Sequence, residues 1–283
     1  MENNLKAPLN KIIKFSNVDG PGNRMAIFFQ GCNFDCLYCH NPETINICFS
    51  CGDCIKYCPT NSLFKNEVGK VIWNKEGCIG CDNCIKNCKK DSSPKIQIVE
   101  ISDLMREIEK VKEFIKGITV SGGECTLHYK FLTRLFKKVK STYPHLTCFV
   151  DTNGSLDLSE SVYKEFVEVT DNFMLDIKAW KLSELKILGV KSANPLKNLK
   201  FLKEKAKLYE VRSVIVPNLL NSEVLVKEVS KDLTSTNIRY KIIKYREIGV
   251  RDRNKSKLES PTDDYLHKLE RIATDLKVNV ILT

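Results

Sequence analysis

The sequence has no long hydrophobic run. No apolar stretch approaches the roughly 20 residues that a helix needs to span a bilayer, and the opening MENNLKAPLN lacks the basic and then apolar pattern of a secretory signal. Dense blocks of Lys and Arg interleaved with aromatic residues are also missing, although the formal net charge is +10. We therefore expect a cytoplasmic protein that neither crosses a membrane nor binds nucleic acid. The excess positive charge should form a solvated surface or, alternatively, face an acidic partner.

Cysteine, in contrast, is abundant. The 283 residues include 13 cysteines, and eleven of these lie between Cys32 and Cys88. Clustered cysteines in a chain without a secretory signal indicate metal ligands or redox groups before they indicate disulfides. The length suits one large domain or a domain that carries an insertion.

Eight of the clustered cysteines form two runs of the bacterial ferredoxin type, C-x2-C-x2-C-x3-C. Pro59 follows the first run, and Lys89 stands at the matching place after the second. In two-cluster ferredoxins the fourth cysteine of each run binds the other cluster. We therefore expect one [4Fe-4S] cluster on Cys48, Cys51, Cys54 and Cys88, and another on Cys78, Cys81, Cys84 and Cys58. Zinc is the alternative, because C-x2-C pairs also bind zinc.

The remaining three clustered cysteines, Cys32, Cys36 and Cys39, have the spacing C-x3-C-x2-C. Three thiolates leave one iron of a [4Fe-4S] cube open, as a catalytic metal site leaves a position for its substrate. With Tyr38 before the last cysteine, the motif resembles that of radical S-adenosylmethionine (SAM) enzymes. The resemblance implies that the open iron binds SAM, that the reduced cluster cleaves it, and that Tyr38 lies near the adenine. The alternative is an ordinary cluster completed by Cys125 or Cys148.

Strand-like and helix-like segments alternate along most of the chain, which predicts parallel β/α units. About six units predict a partial (β/α)6 TIM-like barrel, with its chemistry at the carboxyl ends of the strands. We assign residues 1–43 and 99–283 to this barrel and residues 44–98 to an inserted ferredoxin-like domain. Strands are predicted at 24–31, 117–124, 146–154, 172–180, 210–218, 238–249 and 278–283, and helices at 101–115, 129–143, 159–170, 194–209, 222–235 and 262–276.

Polar motifs follow three of these strands. They are SGGE with Gly122, Gly123 and Glu124, DTNG with Asp151, Thr152 and Asn153, and MLDIK with Asp176 and Lys178. Taken singly, they are typical of a glycine turn, an Asx turn and an ion pair at a strand end. Together they resemble motifs of glycyl-radical-enzyme activases. The resemblance implies that the GGE segment receives the SAM amino group and that Lys178 contacts SAM. It also implies a monovalent-cation site (Na⁺ or K⁺) made by Asp151, Thr152, Asp176 and the Met174 carbonyl.

Further residues fit the same resemblance. Arg212 matches an activase arginine near SAM, and Arg246 stands where some activases carry a histidine that meets SAM. The segment FSNVDGPGNR resembles the activase signature, which implies that Asp19, and with it Arg24, meets the glycyl loop of a protein partner. With the double ferredoxin run, the sequence is most similar to the YjjW-type activases.

The resemblance implies that the chain activates a glycyl radical enzyme. A flavodoxin or ferredoxin would supply the electron, SAM would be cleaved at the three-cysteine cluster, and the 5′-deoxyadenosyl radical would take a Cα hydrogen from a partner glycine. The two inserted clusters would either relay electrons or only stabilise their segment. Two other classes remain open: a radical SAM enzyme that acts on a small molecule, and an iron–sulfur electron-transfer protein. Cys125 and Cys148 are expected to be buried, and an anaerobic lifestyle follows from oxygen-sensitive clusters.

Overall fold

The computed structural model describes residues 5–190 and 195–283. Its main sheet has nine strands in the order β11-β10-β9-β8-β7-β6-β2-β1-β5, and a separate sheet pairs β3 with β4. The strands are β1 Lys6–Ser16, β2 Arg24–Phe29, β3 Leu63–Lys65, β4 Val71–Trp73, β5 Gln97–Glu100, β6 Gly117–Gly122, β7 Thr147–Thr152, β8 Asn172–Asp176, β9 Leu208–Ile215, β10 Arg239–Lys244 and β11 Asn279–Leu282.

Helices connect the parallel strands. They are α1 Asn83–Lys86, α2 Ile101–Glu109, α3 Tyr129–Thr142, α4 Lys164–Val169, α5 Leu182–Ile187, α6 Pro195–Glu204, α7 Ser222–Leu233, α8 Asp252–Lys255 and α9 Asp263–Asp275. In the main sheet the pairs β2–β6, β6–β7, β7–β8, β8–β9, β9–β10 and β10–β11 are parallel, whereas β1 pairs antiparallel with both β2 and β5. The separate β3–β4 pair is antiparallel. This arrangement is a partial TIM-like barrel, and it confirms the predicted fold class.

Helix α3 shows why the helices pack as they do. Leu132, Leu135, Phe136 and Val139 follow the i, i+3, i+4, i+7 spacing that places side chains on one helix face, and all four are fully buried. Each buried side chain of this size contributes about 1.5–3 kcal/mol to folding. The helix therefore packs firmly on the sheet, and it holds the preceding turn, which belongs to the candidate site, in place.

The structure also differs from the predicted elements in places. Strands β1 and β5 close one side of the sheet without having been predicted, and the helix predicted at 159–170 begins as an α-helix only at Lys164. The helix predicted at 194–209 ends at Glu204, because Ala206 has a φ of +53° and β9 already begins at Leu208. Its first predicted residue, 194, lies outside the described residues.

Residues 44–98 contain their own small structure. The β3–β4 hairpin turns at Gly69 (φ +77°) and packs its Leu63 and Val71 against Cys54 and Cys84. The two ends of this segment meet where Asn46 bonds to the backbone of Lys90 and Asp91. In the described part of the chain no helix is both long enough and apolar enough to span a bilayer.

Candidate active site

A cavity of about 280 Å³ opens at the carboxyl ends of the central strands. This is where a parallel barrel gathers residues from different strands. Most of the predicted site residues line it together: Cys32, Cys36, Tyr38, Cys39, Gly122, Gly123, Asp151, Thr152, Asn153, Asp176, Lys178 and Arg212. The cavity therefore brings together three cysteines from the loop after β2 and polar groups from β6, β7, β8 and β9.

The three thiols sit in an environment that disfavours free thiolates. Burial raises the pKa of Cys36 to about 11, against the lowering effect of Lys178. Burial likewise raises the pKa of Cys32 to about 12. Two N–H groups nevertheless point at the Cys32 sulfur: the backbone of Phe34 at 3.4 Å and the Asn153 side chain at 3.8 Å. Without a metal the thiols stay protonated, and a bound metal would supply the charge that deprotonates them.

The two glycines after β6 are required by close backbone contacts. A Cβ added to Gly122, whose φ is +123°, would lie 2.1 Å from the Phe29 carbonyl oxygen. A Cβ on Gly123 would lie 2.3 Å from the Gly31 carbonyl oxygen, one residue before Cys32. Only glycine therefore lets the turn after β6 lie directly against the cysteine loop.

Glu124, the third residue of the motif, is absent from the cavity wall. Its side chain is 1% exposed. One carboxylate oxygen accepts bonds from the Thr126 N–H (3.1 Å) and the Thr126 and Thr152 hydroxyls (2.5 and 2.8 Å). The other accepts from the Asn153 backbone N–H at 2.7 Å. Glu124 thus ties the turn after β6 to the end of β7, and in this structure both of its carboxylate oxygens accept from protein donors.

Asp151 and Arg212, which both line the cavity, form an ion pair. An Oδ of Asp151 lies 3.2 Å from the Arg212 guanidinium and 3.1 Å from the Ser121 hydroxyl. Burial raises the pKa of Asp151 to about 7, although Arg212 lowers it and nearby Asp176 raises it further. Glu210, two residues before Arg212 on β9, holds the Arg212 Nε at 2.6 Å.

Glu210 escaped the sequence analysis, although a signal was present. The i, i+2 spacing of Glu210 and Arg212 places both side chains on the same face of a strand. Glu210 is 1% exposed and also bonds to Arg239. A charged pair at this spacing inside the apolar segment LYEVRSVI indicates an ion network within the barrel.

Asp176 and Lys178 form the second ion pair of the site, with 2.8 Å between Oδ2 and Nζ. Burial disfavours the charge of Lys178, but Asp176 and then Cys36 outweigh this effect, so the pKa of Lys178 is raised well above its usual value. Lys178 therefore stays positively charged beside the cysteines. Tyr38 is 3% exposed, and its hydroxyl has no hydrogen-bond partner among the described residues.

Two further predicted site residues, Arg246 and Arg24, also lie away from the cavity wall. Arg246 is absent from the cavity wall and borders a separate surface depression with Lys244, Asp263 and His267. Arg24 cannot meet a partner, because it is fully buried inside the barrel and stacks 4.1 Å above the Phe149 ring. The expectation of a partner contact for Arg24 is therefore wrong.

The buried position of Arg24 has a structural purpose. Its Nε donates to the Thr119 hydroxyl at 2.7 Å, and that hydroxyl donates to the Asp19 carbonyl oxygen at 2.6 Å. Asp19 itself is partly exposed, and its carboxylate accepts a bond from Ser16. Arg24 thus supports the turn that presents Asp19.

In the inserted segment, cysteines of the two ferredoxin-like runs lie close to one another. Cys58 of the first run borders the same small cavity as Cys78, Cys81 and Cys84 of the second. The Ser62 N–H lies 3.2 Å from the Cys58 sulfur. Cys54 is close enough to Cys84, Cys48 and Cys88 for their charges to raise its pKa, after burial, which is the largest cause. Cys125 and Cys148 are fully buried, as expected.

Comparisons with known proteins show the family of the chain. Residues 18–191 match a family model described as a 4Fe-4S single cluster domain. A putative glycyl-radical enzyme activating enzyme of Haemophilus influenzae is 30% identical over 98% of this chain and 96% of its own. The trans-4-hydroxy-L-proline dehydratase activating enzyme of Clostridioides difficile is 30% identical over 92% and 93%. The pyruvate formate-lyase 1-activating enzyme of Escherichia coli K12 is 30% identical over 82% and 78%.

The fold has a solved relative as well. The QueE structure from Escherichia coli covers 98% of this chain and 94% of its own, with a TM-score of 0.55 and 12% identity, which is a likeness of fold alone. The family match defines a 4Fe-4S cluster protein built on a barrel fold. The chain belongs to the glycyl-radical-enzyme activating enzymes. The family predicted from the sequence is thereby confirmed.

Proposed function

We propose that this chain activates a partner glycyl radical enzyme through SAM cleavage at a cluster held by Cys32, Cys36 and Cys39. The observation that carries the proposal is the single cavity into which these cysteines and the strand-end residues Asp151, Asn153, Asp176, Lys178 and Arg212 all project. A cysteine trio alone would suit several iron–sulfur proteins. The polar groups of four strands beside it suit a charged small molecule bound next to the metal.

The residues present fit a cluster with one open iron. The cavity offers three sulfur ligands from one loop, and N–H groups of Phe34 and Asn153 face one of them. Hydrogen bonds of this kind help set the potential of an iron–sulfur cluster. The unpartnered Tyr38 hydroxyl at the same cavity is consistent with a ligand that would complete its hydrogen bonding. When bound, the reduced cluster would supply the electron that converts SAM into methionine and a 5′-deoxyadenosyl radical.

The protein's own groups would bind and orient SAM. Lys178, held charged by Asp176, would attract the SAM carboxylate. The close turn at Gly122 and Gly123 would let backbone groups approach the amino end. Arg212, which Glu210 and Asp151 hold in place, would line the SAM site from β9. Placing a reactant this firmly is worth several kcal/mol of a reaction barrier.

A monovalent cation would relieve a repulsion that the site contains. The Asp151 and Asp176 carboxylates interact unfavourably, and this interaction helps to raise the pKa of Asp151. We propose that Na⁺ or K⁺ binds both carboxylates together with Thr152 and the Met174 carbonyl. Oxygen ligands of this kind are those that hard cations prefer.

Residues 44–98 would form a ferredoxin-like domain between the two parts of the barrel, residues 1–43 and 99–283. We propose one cluster on Cys78, Cys81, Cys84 and Cys58 and another on Cys48, Cys51, Cys54 and Cys88. Two observations support this pairing. Cys58 shares a cavity with the cysteines of the second run. Burial and then the charges of Cys84, Cys48 and Cys88 raise the pKa of Cys54, so Cys54 of the first run lies near Cys88 as well as near Cys84. A protein electron donor, a flavodoxin or a ferredoxin, would reach the three-cysteine cluster through these two clusters or directly.

The first test is SAM cleavage by the reconstituted protein under anaerobic conditions with dithionite. We expect 5′-deoxyadenosine from the wild type and from Cys148→Ala, and none from Cys36→Ala. Cys148 is a matched control because it is fully buried but lies outside the cavity. Equal product from Cys36→Ala would refute the proposal, and cleavage that never yields a radical on any glycyl radical protein would favour a small-molecule substrate.

The role of the inserted clusters needs a second test. Cys51→Ala and Cys81→Ala variants would be assayed with dithionite and with a reduced flavodoxin. We expect dithionite-driven cleavage to persist and flavodoxin-driven cleavage to be lost. Normal turnover with both donors would leave the clusters a structural role only.

A further inference from the structure

Arg251 is a buried charge that joins three separate parts of the chain. It lies between β10 and α8 and is 8% exposed. Its Nη2 donates to Asp35 Oδ1 at 2.5 Å, and its Nε lies 3.2 Å from Asp91 Oδ1. Asp35 stands immediately before Cys36 in the cysteine loop, and Asp91 lies near the end of the inserted segment. One guanidinium group therefore links the cysteine loop, the insertion and the segment after β10.

Residues near Arg251 also contact the cysteine loop. The Asn254 side chain donates to the Leu37 carbonyl oxygen at 2.9 Å. A Cβ added to Gly249, whose φ is +81°, would lie 2.2 Å from the His40 carbonyl oxygen. Residues 249–254 thus lie directly against the loop that carries Cys36 and Cys39. This backing segment leaves the loop little freedom to move away from the barrel.

The charge of Arg251 also lies beside the cysteine loop. Its Nη2 is 2.5 Å from Asp35, the residue before Cys36, and the segment that carries Arg251 contacts the loop at Leu37 and His40. A buried cation favours added negative charge nearby, because burial strengthens the interaction. Reduction adds one negative charge to a cluster. Neighbouring Arg253 offers a comparison, because it also pairs with Asp91 but its side chain is 55% exposed.

We propose that Arg251 is a positioning residue for the cysteine loop and that its charge raises the reduction potential of the cluster bound there. The inference rests on the proposed three-cysteine cluster. It gives the segment after β10 a specific part in reductive SAM cleavage: it makes the cluster easier for a donor to reduce. Asp91 moderates this effect from the side of the insertion by partly neutralising the guanidinium.

The test is an anaerobic redox titration of the reconstituted full chain, followed by EPR. The signal of interest is the one that disappears in Cys36→Ala. At a fixed potential we expect Arg251→Met to lower the ratio of reduced to oxidised cluster by about tenfold, which is about 59 mV for one electron. Arg251→Lys should restore most of the ratio, and Arg253→Met should change it less than about twofold, because exposed charges are screened.

Asp91→Asn separates charge from packing. Loss of a negative charge should raise the reduced fraction, whereas a merely loosened loop would shift it in the same direction as Arg251→Met. Shifts of the same sign in both variants, or an Arg251→Met potential equal to that of Arg253→Met, would overturn the inference. If Arg251→Met does not fold, Arg251→Lys and Asp91→Asn still carry the test. Absence of any Cys36-dependent signal in the wild type would refute the proposed function instead.

Discussion

The backbone N–H of Asn153 donates to the Glu124 carboxylate across 2.7 Å, joining the end of β7 to the turn after β6. Both residues belong to motifs at the candidate site, yet their contact is between protein groups. Asn153 also reaches the Cys32 sulfur with its side chain. Glu124 therefore acts on the site through the position of Asn153, and a change at Glu124 should appear first as a loss of stability.

Glu124→Gln is predicted to lower the free energy of unfolding by about 1–3 kcal/mol. The four bonds to Glu124 all come from donors, so an amide NH2 must leave at least one of them unpaired in a buried place. Chemical denaturation measures the effect, with exposed Glu165→Gln as the control. Unchanged stability together with a large loss of SAM affinity would show that Glu124 contacts SAM itself.

Gly123→Ala is predicted to abolish the three-cysteine cluster. The added Cβ would lie 2.3 Å from the Gly31 carbonyl oxygen and 2.7 Å from that of Thr44, so the cysteine loop would have to move. Iron content and the Cys36-dependent EPR signal measure the loss. Gly69→Ala is the control, because a Cβ added there meets no atom within 4 Å, although the φ of +77° at Gly69 adds a backbone strain that Gly123 lacks. A normal cluster in Gly123→Ala would contradict the close packing described for this turn.

Arg24 and Asp19 are predicted to act differently. Arg24→Met should cost about 1.5–3 kcal/mol of stability, because it removes charged hydrogen bonds to Thr119, Thr147 and two carbonyl groups. Asp19→Asn should leave stability nearly unchanged and weaken activation of the partner by about tenfold, the effect of about 1.4 kcal/mol. Thermal unfolding and activation kinetics separate the two. If Arg24→Met weakened activation and Asp19→Asn lowered stability instead, the results would support a partner contact for Arg24.

Much of the fold was predictable from the sequence. Each parallel strand from β2 to β11 overlaps a predicted strand, because buried strands give short apolar runs bounded by turns. The antiparallel β1 was not predicted. Its sequence, KAPLNKIIKFS, carries Pro8 and exposed Ile13 and Phe15, so its alternation is weak. Such a strand is defined by its pairing with β2 and β5 and not by its own pattern.

The site was predictable in its motifs but not in its ion network. Cysteine spacing and strand-end glycines are local signals, and the structure places most of them at one cavity. The partner contact predicted for Arg24 was wrong, because a motif does not reveal whether its arginine points into the barrel. Arg251 was missed because its partner Asp35 lies far away in the chain. Glu210 was missed although its near partner Arg212 gave a local signal, and its second partner, Arg239, is distant in the chain. Only the fold brings these charges together.

Activation is predicted to depend on pH through Asp151. Burial raises the pKa of this carboxyl to about 7, so protonation below that pH would compete with the bound monovalent cation. The apparent affinity for K⁺ should fall by up to about tenfold per pH unit below pH 7. Titration of SAM-cleavage activity with K⁺ between pH 6 and pH 8 measures it. Asp151→Asn should remove this dependence, and an unchanged dependence in that variant would assign it to another group.

One measurement tests the central claim most directly. The reconstituted protein would be mixed anaerobically with SAM, a low-potential reductant and a glycyl radical protein encoded beside its gene, and the mixture examined by EPR. The account predicts a doublet organic-radical signal on the partner with the wild type and none with Cys36→Ala. Intact clusters with neither SAM cleavage nor a partner radical would contradict it and would leave an iron–sulfur electron-transfer protein as the better description.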